Sequence, residues 1–271
     1  VSDPVLIRGD GQFLYTLASV CDDVDFGITN VVRGSDHVTN TATQIQIIES
    51  LGGNVPDFSH HSLLTGSKGE PLSKRLGTLS LRDLRANGLE PMAILSYMSR
   101  LGSSEAIELF DNIDDLAENF DISNFGAQPT KFDLTDILPL SKKYISGLDV
   151  SEVYDNLKAS GVPSDIAPNF WLIVRENIST RAEIKHWWSI CSEGVTPVID
   201  KEDIKFIEIA KSLLPVGNFD ENTWKNWTSE IKAITGRKGK TLFMPLRKAL
   251  TGMEHGPDMS RLLPLLQKIN I

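Results

Sequence analysis

The amino-acid sequence predicts a mainly α-helical protein that begins with an α/β portion and ends in an all-helical half. Short β-branched runs alternate with a helical pattern in the first sixty residues. Strand signals then disappear at about residue 148, and capped helical patterns repeat to the end of the chain. With 271 residues the chain is long enough for about two domains.

The first clear element is a strand followed by a polar loop and a helix. The run Gly27 to Arg33 is rich in β-branched residues and predicts a buried strand. Thr39 or Asn40 can cap the next helix, and the pair Gly52-Gly53 predicts its end. In such units ligands bind beyond the carboxyl ends of the strands, so we expect chemistry at Arg33 and just after it.

A turn-rich basic loop and a further helix come next. The segment Thr65 to Pro71 has no apolar periodicity, and it leads into Leu72-Ser73-Lys74-Arg75. A mobile basic loop is therefore predicted. Pro91 then opens an amphipathic helix that ends before Gly102 and whose apolar face is Met92, Leu95, Met98 and Leu101.

The remaining elements are helices. Trp224 and Trp227 lie three residues apart and form one helix face with Ile231 and Ile234, which favours a core stripe over the alternative of base stacking. The predicted helices are 151–160, 164–175, 180–192, 200–214, 220–235 and 257–269.

Composition limits the classes of function. No apolar run approaches the roughly 20 residues of a membrane span, and no secretory signal is present, so a cytoplasmic protein without a membrane partner is expected. Cys21 and Cys191 belong to no paired motif and are expected to be reduced thiols. His60 and His61 would point to opposite faces of a strand, so no metal site is predicted.

The charge is unevenly distributed. The net charge is −9, yet the segment Ile231 to Ile271 contains eight basic and two acidic residues, a net charge of +6. The segment Leu101 to Thr130 contains seven acidic residues and no basic one. This segregation is typical of a protein that binds a polyanion on one side, although an uneven solvated surface is the alternative.

Sequence blocks along the chain indicate a family. The loop Leu72-Ser73-Lys74-Arg75 is similar to the Lys-Met-Ser-Lys-Ser signature of class I aminoacyl-tRNA synthetases. Three blocks resemble the glutamyl and glutaminyl enzymes in order and spacing: Asp10-Gly11-x-x-x-Tyr15-x-Leu17-Ala18-x-Val20-x-Asp22-Asp23, Gly27-Ile28-Thr29-x-Val31-x-Arg33-Gly34-x-Asp36-His37, and Asn40-Thr41-x-x-Gln44.

The last part of the chain favours the bacterial-type glutamyl enzymes. The run Gly239 to Gly252, with Gly256-Pro257 after it, resembles their helical anticodon-binding domain, whereas glutaminyl enzymes have β-barrels there. The resemblance implies the C-terminal half of a class I Rossmann-type α/β catalytic domain over 1–77. A helical region that contacts the tRNA stem over 78–147 and an all-helical anticodon-binding domain over 148–271 follow it.

The resemblance also implies roles for individual residues. Tyr15 and Arg33 match positions that bind glutamate, and a planar guanidinium suits a carboxylate because it can bond it bidentately. Lys74 and Ser73 match the catalytic signature, and Lys74 would meet the ATP phosphates. The further ATP-binding positions are Leu64, Leu72, Asp36 and His37.

Some positions depart from the family pattern. Pro71 stands where the signature has its first lysine, and Glu70 adds a negative charge beside it. The His-Ile-Gly-His signature and the first Rossmann strands would precede Val1, so we expect a C-terminal part that is inactive alone. Lys238, Lys240 and Arg247 are the expected tRNA contacts, with a solvated basic face as the alternative.

The function implied by the resemblance is that of a glutamate–tRNA ligase. The parent enzyme would use ATP with Mg²⁺ to activate L-glutamate and transfer it to the 3′ end of tRNA(Glu), with tRNA(Gln) as a further substrate left open, and would be a monomer. A non-catalytic tRNA-binding paralogue or processed half is one alternative. A purely structural helical protein is another.

Overall fold

The computed structural model describes residues 3–66, 69–70 and 80–271. These form two compact units. The first unit comprises Val1–Leu79, Ser96–Glu108 and Asn112–Leu134, and the second comprises Ser80–Leu95, Leu109–Asp111 and Thr135–Ile271. The functional boundaries predicted at 77 and 147 stay predictions, because compactness groups residues by contact and not by role.

Helices dominate the described residues, as predicted. The strands are β1 (Asn30–Gly34), β2 (Asp57–His61), β3 (Leu64–Thr65) and β4 (Thr130–Lys131). The helices are α1 (Tyr15–Asp25), α2 (Val38–Ser50), α3 (Leu81–Ala86), α4 (Pro91–Met98), α5 (Ile113–Glu118), α6 (Ile137–Gly147), α7 (Val150–Ala159), α8 (Ala167–Val174), α9 (Glu183–Glu193), α10 (Ile204–Ser212), α11 (Thr223–Thr235), α12 (Lys240–Thr251) and α13 (Met259–Leu262).

The first unit contains a β1-α2-β2 unit with parallel strands. Asn30 pairs with Asp57 and Gly34 with His61, while α2 connects the two strands. Helix α1 packs on α2, where Val20 and Ile48 are fully buried and the Gln44 amide donates to Ser19 Oγ at 2.9 Å. This packing holds the carboxyl ends of both strands at the start of α2.

Two details of this region differ from the prediction. Strand β1 is not buried, since Val32 is exposed and β1 pairs only with β2 among the described residues. The N-cap of α2 is His37 instead of Thr39 or Asn40, because a short 3-10 turn over Ser35–His37 leads directly into the helix. The predicted end of α2 is confirmed, since Gly52 has a φ of 72°.

The second unit is a helical domain with one continuous apolar core. Helices α7, α8, α9 and α11 begin and end within a few residues of the predicted positions. Trp171 and Trp227 are almost fully buried, and their indole N–H groups donate to the carbonyl oxygens of Leu148 and Ala210. Because each buried indole has its hydrogen bond, the rings add apolar contact without an unsatisfied donor.

The predicted helical patterns are partly wrong near the end of the chain. Ile234 is exposed, so the core stripe of α11 consists of Trp227 and Ile231 with Trp224 at its margin. The α-helical part of the predicted helix 257–269 is only α13, because Pro264 lies in a 3-10 turn that follows it directly.

A buried ion pair connects distant parts of the second unit. Arg181 donates from Nε and Nη2 to the two carboxylate oxygens of Glu90, at 2.8 and 3.1 Å. Arg181 Nη1 also donates to the Glu152 carbonyl oxygen at 3.0 Å. The Ser141 hydroxyl donates to the Ser179 carbonyl oxygen at 2.6 Å and accepts from the Glu90 N–H. The segment before α4 is thereby fixed to α6, α7 and the residues just before α9.

Among the described residues, no helix has the length and apolar composition needed to cross a membrane.

Helix α4 begins at Pro91 as predicted, but its predicted apolar face is wrong. Leu95 and Met98 are exposed, while Ala93 and Tyr97 are fully buried.

Candidate functional site

The parallel register of β1 and β2 places two polar side chains next to each other at the carboxyl edge. Arg33 lies opposite His60. Both are partly buried, whereas Val32 and His61 are exposed. The opposite orientation predicted for His60 and His61 is confirmed, and it brings only the first of them to Arg33.

Thr41, in the first turn of α2, joins this pair. Its hydroxyl oxygen accepts a hydrogen bond from Arg33 Nη2 at 2.7 Å and lies 3.0 Å from His60 Nε2. The hydroxyl oxygen also lies 3.3 Å from the His37 carbonyl oxygen. Since a hydroxyl has one proton, Thr41 can donate either to the His37 carbonyl oxygen or to His60 Nε2, and the tautomer of the His60 ring decides which.

Tyr15 completes the cluster from the first residue of α1. Its hydroxyl lies 3.5 Å from Arg33 Nη1, at the limit of a hydrogen bond, and its ring centroid lies 5.6 Å from that of His37. The Arg33 guanidinium carbon lies 5.3 Å from the centroid of the Phe58 ring, a cation–π contact. The structure thus brings the predicted residues Tyr15, Arg33 and His37 together.

Two polar atoms of this cluster are shielded from solvent and have no hydrogen-bond partner among the described residues. They are Arg33 Nε and His37 Nδ1. An unpaired buried polar atom destabilises a fold, so each of these two atoms needs a partner that the described residues do not supply. Asp36 is exposed, with a carboxylate oxygen 3.8 Å from His37 Nε2. A braced guanidinium with a spare donor suits a carboxylate or a phosphate.

Leu64 lies in β3, which pairs with β4 in a second two-stranded sheet of the first unit. The carbonyl oxygens of Leu63 and Thr65 accept hydrogen bonds from the N–H groups of Thr130 and Phe132. Because backbone groups alternate in direction along a strand, the Leu64 N–H and C=O point away from β4. The other three predicted positions of the ATP loop, Leu72, Ser73 and Lys74, lie outside the described residues.

Sequence reasoning missed the structural role of Thr41 and His60. Thr41 is part of the third sequence block, but its spacing from Arg33 says nothing about a contact across a strand and a helix. For His60 the sequence raises only the question of a metal ligand, which does not lead to Arg33 or Thr41. In the described part of the chain, no three His, Cys, Asp or Glu residues form a group that could hold a metal ion.

A second candidate site lies on α12 and the loop after it. Arg247 Nη2 donates to the Pro257 carbonyl oxygen at 2.9 Å, while Arg247 Nη1 is shielded from solvent and has no partner among the described residues. Burial lowers the pKa of Arg247, an effect that the nearby Asp258 opposes. A Cβ on Gly256 would lie 2.3 Å from the Trp187 ring, so glycine is required where this loop meets the core.

The other basic residues of this region divide into paired and unpaired groups. Arg237 forms an ion pair with Asp203 and also donates to the Thr241 carbonyl oxygen, which Pro245 leaves without its helical donor. Lys248 donates to Asp200 at 2.7 Å, which raises the pKa of that lysine. The residues of both pairs line a cleft of about 540 Å³.

Lys238 and Lys240 differ from them. Both are exposed, and in the part of the chain that the structure describes neither has an acidic group within ion-pair distance. Neither lysine is therefore held in an ion pair, although Lys240 lines the same cleft as Asp200, Glu202 and Asp203. Together with Arg247 they are the three basic residues that the sequence singled out.

Two family models match this chain, one in each half. Residues 1–139 match the family of tRNA synthetases class I (E and Q), catalytic domain, and residues 171–271 match an anticodon binding domain. The chain is 63% identical to glutamate–tRNA ligase 1 of Roseobacter denitrificans over 269 residues, which is 99% of this chain and 61% of that protein. It is 59% identical to glutamate–tRNA ligase 1 of Ruegeria pomeroyi over the same shares of both chains.

Solved structures share the fold. A crystal structure of glutamate-tRNA synthetase from Elizabethkingia anophelis matches 98% of this chain and 59% of its own, with a TM-score of 0.76 and 22% identity. The chain spans about three fifths of the length of the curated relatives it matches. Because a catalytic-domain model of one family covers more than half of it, the chain belongs to the class I tRNA synthetases of the E and Q type.

Proposed function

We propose that this chain is part of a glutamate–tRNA ligase that activates L-glutamate with ATP and transfers it to the 3′ end of tRNA(Glu). The observation that carries the proposal is the Arg33 cluster at the carboxyl edge of β1 and β2 in a chain of this family. The names of the relatives support glutamate as the amino acid. A monomeric, cytoplasmic protein belongs to the same proposal.

Arg33 is proposed to bind the glutamate carboxylate, with Tyr15 facing the same ligand. Thr41 takes one Nη2 donor, and Phe58 supports the guanidinium through its ring, so the group is held in one orientation. Its remaining donors include the unpaired Nε. A guanidinium that is already held in one orientation binds a carboxylate with little loss of side-chain freedom.

ATP is proposed to bind beside this cluster. The Leu64 backbone groups point away from β4, which fits hydrogen bonds to an adenine edge, and the unpaired His37 Nδ1 and the exposed Asp36 fit polar contacts with the nucleotide. ATP bound with Mg²⁺ supplies the phosphoanhydride that makes the glutamate carboxylate reactive. Lys74 and Ser73 remain the proposed catalytic residues, with Leu72 beside them at the nucleotide.

The second unit is proposed to bind the anticodon region of the tRNA. Lys238 and Lys240 form no ion pair within the described residues, and Arg247 has an unpaired donor on a guanidinium that Pro257 holds in place. Each contact of this kind with a phosphate releases counterions. Replacing one of the three residues is therefore expected to lower the salt dependence of tRNA binding by about one unit of log–log slope.

Aminoacylation tests the catalytic part of the proposal. The substrate is tRNA(Glu), the label is radioactive glutamate, and the enzyme is the full-length protein that contains this chain. Arg33→Lys should raise the KM for glutamate at least about tenfold, because an ammonium lacks the planar fork. The exposed Arg85 provides the matched control, and Arg85→Lys should leave the KM for glutamate unchanged.

The same assays separate the alternatives. Charging of tRNA(Glu) by the full-length protein is the expected result, and the 271 residues alone are expected to give none. Salt-dependent tRNA binding without any charging by the full-length protein would contradict ligase activity and favour a non-catalytic tRNA-binding protein. Absence of both binding and charging would contradict both tRNA-related functions.

A further inference from the structure

One aromatic side chain on the second candidate site is neither in the core nor isolated. Phe243 of α12 is 44% exposed. Its ring centroid lies 6.2 Å from that of Trp224, with an angle of 33° between the planes. Trp224 in turn lies 5.8 Å from Trp227, which is 1% exposed and fixed by its hydrogen bond to Ala210. Phe243 is therefore the exposed end of an aromatic series anchored in the core.

The surroundings of Phe243 are basic. Phe243 follows Lys240 by three residues and precedes Arg247 by four, so the three lie on one side of α12. Lys240 has no ion-pair partner in the described part of the chain, and Arg247 has one unpaired donor. By contrast, Arg237 and Lys248 are bound to acidic groups. The aromatic ring thus lies between two positive groups that form no ion pair within the described residues.

This combination selects one class of partner. An acidic peptide would use the cations and not the ring, and an apolar helix would use the ring and not the cations. A nucleic acid uses both, because its bases stack on aromatic faces while its phosphates bind Lys and Arg. In a duplex the base faces are covered by neighbouring pairs, so only an unpaired loop can present one.

We propose that Phe243, supported by Trp224, stacks a base of a single-stranded tRNA loop, while Lys240 and Arg247 bind the adjacent phosphates. This inference rests on the proposed function, and it names the loop-stacking residue of the second unit. Trp227 takes no part in the contact itself because its ring is buried. Its role is to hold Trp224 in position.

Binding of an RNA stem-loop by the 271-residue chain tests this inference. The RNA carries the anticodon loop of tRNA(Glu) with 2-aminopurine in place of a loop base. Phe243→Leu should weaken binding by roughly 5- to 100-fold, the range observed when a stacking ring is removed. Phe243→Tyr keeps the ring and should bind within about twofold of the unchanged chain.

Phe26 provides a matched control. It is 78% exposed and follows α1 in the first unit, next to the acidic residues Asp22, Asp23 and Asp25. Phe26→Leu should leave RNA affinity unchanged. A fully paired RNA of the same length should bind the unchanged chain and Phe243→Leu equally, because it offers no loop base.

The outcomes are distinct. If the unchanged chain quenches 2-aminopurine fluorescence on binding, a base is stacked; binding without quenching overturns the inference even if Phe243→Leu fails to fold. Equal loop affinity for Phe243→Leu and the unchanged chain overturns stacking while leaving tRNA binding intact. Failure of the unchanged chain to bind any RNA overturns the inference and the tRNA-binding part of the proposed function together. Displacement of the RNA by polyglutamate at equal charge concentration would assign the surface to acidic peptides and overturn it as well.

Discussion

Removing the Arg181 side-chain charge should destabilise the second unit by about 3 kcal/mol. Arg181→Met keeps most of the aliphatic chain but leaves the Glu90 carboxylate, whose side chain is 7% exposed, without its bidentate partner. Loss of one partner of a buried ion pair costs about 3–5 kcal/mol. The Arg181 side chain is 30% exposed, so water can reach part of the vacated space, which places the effect at the lower end of that range.

Tryptophan fluorescence during urea unfolding measures this effect. All five tryptophans lie between residues 171 and 227, within the second unit, so the signal reports on that unit alone. Arg261 lies on the exposed side of α13, and Arg261→Met is the matched control, with an expected change within about 0.5 kcal/mol. The midpoint of unfolding should fall for Arg181→Met only.

A double variant tests the reason for the effect. In Glu90→Gln with Arg181→Met the buried charge is absent, so the free energy of unfolding should decrease by less than the sum of the two single changes. Additive losses would show that the two side chains act independently. A loss below about 1 kcal/mol for Arg181→Met would refute the ion pair as a main stabilising contact of the second unit.

Three further predictions concern single residues. Burial raises the pKa of Cys191 to about 12, so a thiol reagent at pH 8 should modify the partly exposed Cys21 and reach Cys191 only after unfolding; two reactive thiols in the native chain would contradict this. The pKa of Asp149 is lowered mainly by a hydrogen bond from the Ser151 backbone N–H and secondly by one from the Ser151 hydroxyl. A folded-state pKa below the unfolded value of about 3.9 stabilises the fold at neutral pH, and this stability is lost as the pH falls through the folded pKa. Asp149→Asn should therefore make the melting temperature decrease less steeply below about pH 4. Gly256→Ala places a Cβ 2.3 Å from a buried tryptophan ring at a φ of 152° and should cost about 1–3 kcal/mol by urea unfolding, whereas Gly147→Ala meets no atom within 4 Å and should cost less.

The sequence alone was sufficient for the division into an α/β portion and a helical half. Helical periodicity, caps and glycines are local signals, so the positions of α7, α9 and α11 follow from a few neighbouring residues. The same holds for the ordered blocks that contain Tyr15 and Arg33, which indicated the family before any contact was known. Local signals were less reliable for burial, because Val32 and Ile234 are apolar residues whose exposure depends on what packs against them.

Tertiary structure decided which residues act together. Thr41 reaches Arg33 and His60 only because α2 crosses from one parallel strand to the other. In the sequence, Thr41 lies 8 positions after Arg33 and 19 positions before His60. Tyr15 reaches Arg33 in the same way, from α1.

The basic C-terminal segment shows the same distinction. Its sequence gives the number of positive charges. Only the fold shows that Asp200 and Asp203 form ion pairs with Lys248 and Arg237, while Lys240 has no ion-pair partner in the described part of the chain. The physical reason is that composition and periodicity depend on neighbours along the chain. Hydrogen bonds, ion pairs and the exposure of Phe243 instead depend on distances in space that the packing of helices sets.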